Sequence, residues 1–117
     1  MAVTDRHFAN LKEHNIEELI AGYADDAIIL TNLCECPLEG KEDIRRYCGG
    51  LIQRAGEKID ALTDPAAKIT VKEAVAELSC IGFQHRAKKQ CGILTQRIRD
   101  GKIIFESLTF QEAEPVI

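Results

Sequence analysis

Glu106 is the residue of this chain best placed to do chemistry. It interrupts the run Ile103-Ile104-Phe105-Glu106-Ser107-Leu108-Thr109-Phe110, a segment rich in β-branched and aromatic residues and therefore strand-like. A carboxylate desolvated among such neighbours is the kind of group that exchanges a proton near neutral pH. A salt bridge to Arg97, or a strand that turns its acidic side outward, accounts for the same residue without catalysis. His7 is the second candidate, as a donor to a ligand carbonyl or as a proton shuttle. A half-exposed histidine on a helix is the plainer reading.

The five cysteines offer less. Cys34-Glu35-Cys36 is a tight spacing, but no second pair completes four zinc ligands at usual intervals. Cys48, Cys80 and Cys91 read as small apolar core residues. An odd number of scattered cysteines also fits reduced thiols better than a secreted disulfide framework. Neither a metal nor an organic cofactor is implied, because side chains alone can move a proton in a dry pocket.

The elements that must position these residues run helices first, then strands. Thr4 can cap a short helix on which Phe8 and Leu11 lie one turn apart. Asn15 and Glu18 have the spacing of a capping box opening a second helix, with Ile16, Leu19, Ile20 and Tyr23 as its buried stripe. Ala24-Asp25-Asp26 breaks that helix. Ala27 to Thr31 is strand-like, and a loop from Asn32 reaches Gly40. A third helix follows, with Ile44, Tyr47, Cys48, Leu51 and Ile52 on one face. Gly49-Gly50 should bend it or allow close packing. The period then changes. An extended region from Ile59 to Val71 is broken at Asp64-Pro65. Glu73 to Phe83 reads as one strand, with Ala74, Ala76, Leu78, Cys80 and Gly82 on one face. A tip at His85 to Ala87 leads into a strand from Lys88 to Arg99. If that tip held only His85-Arg86, Cys80 and Cys91 would sit opposite each other.

Asp100-Gly101 is a strong signal for a two-residue hairpin turn. Pairing Arg99 with Lys102 then sets Thr95 opposite Glu106 and Arg97 opposite Ile104. Ile93, Thr95, Arg97, Ile104, Glu106 and Leu108 should share one face, the other carrying Leu94, Gln96, Ile98, Ile103, Phe105 and Ser107. Both faces are substantially apolar. The expectation is helices packed on one side and a second copy of the chain on the other, a homodimer through the outer sheet face.

Three blocks recur in order with suitable spacing: Asn15-Ile-Glu-Glu-Leu-Ile-Ala-Gly-Tyr-Ala-Asp-Asp-Ala27, Leu38-Glu-Gly-Lys-Glu-Asp-Ile44 and Asp100-Gly101-Lys102. Through them the chain resembles the NTF2-like (SnoaL-like, ketosteroid isomerase-like) superfamily over nearly its whole length. The resemblance implies an α+β, cystatin-like cone: three N-terminal helices packed on a strongly curved antiparallel sheet, residues 1–117 forming one domain around a mostly apolar cavity. The family includes isomerases, cyclases, dehydratases and noncatalytic modules, so fold does not imply function. In the isomerase branch, the base position carries over to Thr31, the donor carboxyl to Thr95 and the helix-one tyrosine to the neighbourhood of His7. None of the three is retained, and Thr31 cannot act as a base at neutral pH.

Two readings follow. In the first, the chain binds a small apolar molecule and acts by acid–base catalysis. Glu106 and His7 would be the catalytic pair, and Thr31, Thr95, Tyr47, Cys80, Leu78 and Phe110 would line the site. In the second, it is a noncatalytic dimeric module that binds a ligand or a partner. Nucleic acid is a poor partner, since 15 Lys and Arg face 19 Asp and Glu, for a net charge of −4, with no Trp. The longest apolar runs, such as Ala27-Ile28-Ile29-Leu30, are far below the roughly 20 residues of a spanning helix. The opening Met1-Ala2-Val3-Thr4-Asp5-Arg6-His7 lacks the apolar core of a signal peptide, so the cytoplasm is the expected location.

Overall fold

The computed structural model describes residues 3–55, 68–75 and 77–113. Two helices, α1 (Val3–Lys12) and α2 (Ile16–Ala21), precede the strand β1 (Tyr23–Thr31). The short strand β2 (Leu38–Glu39) leads directly into α3 (Gly40–Ala55). Four long strands follow: β3 (Lys68–Val75), β4 (Leu78–His85), β5 (Gln90–Arg99) and β6 (Lys102–Glu112). They form one curved sheet in the order β2-β1-β6-β5-β4-β3, antiparallel except where β1 runs parallel to β6. The helices lie on its inner face. Between them and the sheet sits a core that includes Leu11, Leu19, Ile29, Ile44, Leu51, Ile81, Phe83, Leu94, Ile103 and Leu108.

Several local expectations change. Thr4 does not cap α1 but lies within it, buried, with its hydroxyl 3.2 Å from Ser79 Oγ and 3.3 Å from Gln96 Oε1. Asn15 sits at the N-cap of α2 without a side-chain cap bond; its Nδ2 donates to Glu13 Oε2 instead. Tyr23 opens β1 and does not close the stripe of α2, because the Ile103 amide captures the Gly22 carbonyl at 2.9 Å and draws the chain into the sheet. α3 runs unbroken through Gly49-Gly50, and neither glycine is crowded: a Cβ at Gly49 would rest in ordinary contact with Ile16 Cδ1, at 3.7 Å, and one at Gly50 would meet nothing within 4 Å.

The strand expected from Glu73 to Phe83 is two strands. The chain reverses between Val75 and Leu78, with Glu77 in the left-handed region at φ 70°. No Gly or Asn announces this turn in the sequence. The break expected at Asp64-Pro65, and the faces expected of Ala74 and Ala76, lie outside the described residues. The β4–β5 connection spans Arg86 to Lys89, so Cys80 pairs with Thr95 and Cys91 with Gln84, not with each other.

The β5–β6 register matters most for the site. Arg99 pairs with Lys102 and Ile98 with Ile103, as the turn dictates. Ile104 is then an extra residue, and the ladder resumes as Arg97 with Phe105, Gln96 with Glu106 and Thr95 with Ser107. This bulge corrects the expected pairing of Thr95 with Glu106 by one position. It also puts Ile103 and Glu106, three apart in sequence, on the same inner face. Leu94, Gln96 and Leu108 join them there, while Thr95 and Ile93 face outward.

Candidate functional site

Glu106 is completely withdrawn from solvent, at 0% exposure. Its carboxylate is held from three elements. Oε1 accepts hydrogen bonds from the Tyr23 hydroxyl on β1 and from Gln96 Nε2 on β5, both at 2.8 Å. Oε2 accepts one from the Tyr47 hydroxyl on α3, at 2.9 Å. His7 Nε2, on α1, lies 3.9 Å from Oε1. Each donor is placed by a local feature: Tyr23 by the first register position of β1 against Ile103, Tyr47 by the buried face of α3, Gln96 by the bulge. The His7 ring stands nearly perpendicular to that of Tyr23, with centroids 5.8 Å apart.

The electrostatics follow from burial beside one carboxylate. Desolvation, and then the charge of Glu106, push both phenols well above the ordinary tyrosine range, so they remain donors. The Cys48 thiol behind them is pushed up to about 12, mainly by burial, which makes it inert as a nucleophile. Burial pulls His7 below the usual histidine value, and the attraction of Glu106 opposes that shift without reversing it. His7 is therefore neutral at pH 7, and its contact with Glu106 is not an ion pair there.

This has a consequence for stability. A histidine whose folded pKa is depressed takes up its proton more readily in the unfolded chain. Its stabilising effect is complete above about pH 6.5, the ordinary histidine value, and is lost as pH falls from there through the folded value. The melting temperature of the wild-type protein should therefore fall between about pH 7 and about pH 5, and that of His7→Gln should fall less. Identical slopes in a thermal melt series would show that His7 is not held neutral by burial.

Three of the residues singled out in the sequence thus come together: Glu106, His7 and Tyr47. Thr95, Leu78 and Cys80 lie on the opposite face of the sheet and do not share the chamber of Glu106, because the bulge in β6 and the extra turn before β4 set those registers. Thr31 ends β1, where its Oγ1 accepts a bond from the Leu33 amide at 3.2 Å and borders a separate cleft with Cys34, Cys36 and Ser107. Phe110 packs on the edge of the core, its backbone pinned on both sides by Asn32. Tyr23 and Gln96 are the members not singled out. Tyr23 is disguised by the helical period that precedes it, and Gln96 by a bulge that no turn residue signals.

The space beside the carboxylate is narrow. Only interstitial gaps remain between His7, Phe8, Leu11, Leu51, Leu94 and Leu108, with no room for a water molecule. Where the family resemblance implies a mostly apolar cavity, the space beside Glu106 is this narrow one, with Tyr47 and Leu51 on its border. Wider clefts adjoin it. One of about 560 Å³ lies between α1, α2 and the β5–β6 turn and reaches His7. Another of about 510 Å³ lies over α3 and reaches Tyr47 and Leu51. Among the described residues no three His, Cys, Asp or Glu side chains are grouped to hold a metal ion, and no helix is long and apolar enough to cross a membrane.

No protein-family model matches the sequence, and no curated protein is significantly similar to it. Solved structures are similar in fold. A proposed ketosteroid isomerase of Kribbella flavida DSM 17836 superposes with a TM-score of 0.62 at 17% identity, covering 98% of this chain and 79% of that one. A proposed isomerase of Bacillus subtilis gives a TM-score of 0.68 at 17% identity, covering 93% and 84%. A protein of unknown function with a cystatin-like fold from Nostoc punctiforme PCC 73102 gives 0.59 at 15% identity, covering 98% and 90%. The chain has the NTF2-like, cystatin-like α+β fold.

Proposed function

We propose that this chain is a small-molecule-binding protein that moves a proton on an apolar ligand, in the manner of an isomerase, cyclase or dehydratase, with Glu106 as its acid–base group. The observation that carries the reading is a carboxylate with no solvent exposure, held by two phenols and an amide, with a buried histidine 3.9 Å away. Taking a carboxylate out of water costs several kcal/mol even after relaxation, whereas a leucine in the same place would pack without that penalty. A fold whose neighbours include proposed isomerases gives the reading further support.

The chemistry centres on Oε2, which receives one hydrogen bond where Oε1 receives two. A ligand that displaces the Tyr47 ring presents a C–H next to its carbonyl to Oε2. The proton passes to Glu106, and the electron pair of the broken bond is delocalised onto the carbonyl oxygen. A phenol held protonated by its surroundings then donates to that oxygen, and Glu106 returns the proton to a different carbon. Deuterium uptake by cyclic ketones and 1,3-dicarbonyl compounds, followed by proton NMR, tests this. Wild-type protein should accelerate uptake, and Glu106→Gln should reduce the acceleration by about a hundredfold or more. Equal uptake in both would remove Glu106 from the chemistry.

A second reading, a noncatalytic dimeric module, is favoured by one observation: the chamber next to Glu106 admits no water. Both readings share a homodimer through the outer sheet face, where Ile28, Leu30 and Ile93 are exposed. Sedimentation of a monomer at micromolar concentration would count against that dimer. Five free thiols are compatible with a reducing, cytoplasmic location.

A further inference from the structure

The cleft over α3 has features that the chamber of Glu106 does not explain. Arg46, Gly50 and Arg54 succeed one another at intervals of four along the helix, so they form one ridge. Gly50 leaves a notch in that ridge between two guanidinium-bearing side chains. The floor of the notch is Leu33, Tyr47 and Leu51. Among the described residues no carboxylate lines it, although the protein as a whole carries a charge of −4. Arg46 gives one contact to Asp43, Nη2 to Oδ1 at 2.8 Å, and keeps its other donors. Arg54 has no carboxylate partner among the described residues.

The glycine itself is the second observation. In a helix interior glycine is less favourable than alanine. At Gly50 a Cβ would meet nothing within 4 Å, so no neighbour crowds the position. Packing does not account for Gly50; an open notch does. Tyr47 and Leu51 border both this notch and the closed chamber. The Tyr47 hydroxyl is the donor to Glu106 Oε2.

We infer that the notch at Gly50 is the mouth of the site and takes a small organic carboxylate, its acid group held between Arg46 and Arg54 and its apolar body laid on Leu33, Tyr47 and Leu51. Planar guanidinium groups match a carboxylate with paired hydrogen bonds, which a neutral ligand cannot supply. This inference rests on the proposed function for what lies beyond Tyr47, and it names the class of molecule delivered there.

Phenylacetate and phenylacetamide, which differ only in the acid group, are the probes, titrated into the full chain and followed by amide NMR. Phenylacetate should move the Leu33, Gly50 and Leu51 resonances and bind about tenfold tighter than the amide, the worth of a charged hydrogen-bonded contact. Arg46→Gln with Arg54→Gln should erase that difference while the amide binds as before. Gly50→Leu should abolish binding of both probes at an undiminished melting temperature. Equal affinity for acid and amide, unchanged binding in Gly50→Leu, or no binding of either probe at millimolar concentration would overturn the inference. Acid-selective binding without Glu106-dependent proton exchange would keep this mouth and overturn the proposed catalysis; exchange without acid selectivity would do the reverse.

Discussion

Glu106→Ala should lower the free energy of unfolding by about 3–5 kcal/mol, the range for removing one partner from a buried charged network. The size comes from what is left behind more than from what is removed. Three donors aim at the carboxylate: the Tyr23 and Tyr47 hydroxyls and Gln96 Nε2. A buried donor without an acceptor costs about 1–3 kcal/mol. Water cannot replace the lost oxygens, because the neighbouring space does not admit a molecule. Glu106→Gln should cost less, since its amide keeps one acceptor oxygen. The combination Glu106→Leu, Gln96→Leu, Tyr23→Phe and Tyr47→Phe removes donors and acceptor together. It should lie within about 1.5 kcal/mol of wild type, as apolar replacements of similar volume do. Urea denaturation of the three variants orders them. An alanine variant that loses less than about 1 kcal/mol would mean the network is not formed in solution.

The fate of Glu106 also shows what the sequence could and could not convey. The Asp100-Gly101 turn is a local signal with a fixed geometry, and the pairs it dictates, Arg99 with Lys102 and Ile98 with Ile103, are present. The bulge at Ile104 lies three residues further on. It depends on how β6 meets both β5 and the parallel strand β1, a tertiary matter that no residue type at Ile104 announces. The inner placement of Glu106 was legible while its partner was not: parity counted from the turn gave Thr95, and the bulge supplied Gln96. Tyr47 was legible because α3 keeps a clean helical period into its buried face. Tyr23 was not, because it continues the spacing of Ile16, Leu19 and Ile20 although it begins a strand. His7 lay within reach as a residue and out of reach as a contact. Its meeting with Glu106 joins positions at opposite ends of the chain, and periodicity carries no information about such pairs.

Gly92→Ala should be the most damaging single methyl in the described part of the molecule. Gly92 lies in β5 between Phe83 of β4 and Phe110 of β6. A Cβ added there would collide with the Thr109 carbonyl oxygen and with the Phe83 ring, whose Cε2 would be 2.8 Å away. Phe83 is itself buried at 1% exposure and cannot swing aside without opening the core. The intrinsic gain of alanine over glycine in a strand is at most about 1 kcal/mol. Overpacking a tight site costs about 1–3 kcal/mol and occasionally more, and here one of the two obstacles is backbone, so the upper end applies. A net loss of about 2 kcal/mol or more is expected, which for a domain of this size lowers the melting temperature by roughly 10 °C. Phe83→Leu in the same chain should recover only part of it, because the Thr109 carbonyl stays where it is. Gly50→Ala provides the control of opposite sign: the same added methyl, in a helix and in open space, should raise stability by about 0.5–1 kcal/mol. If the two alanine variants shifted the melting temperature in the same direction, the crowding at Gly92 and the open notch at Gly50 could not both be features of the folded protein.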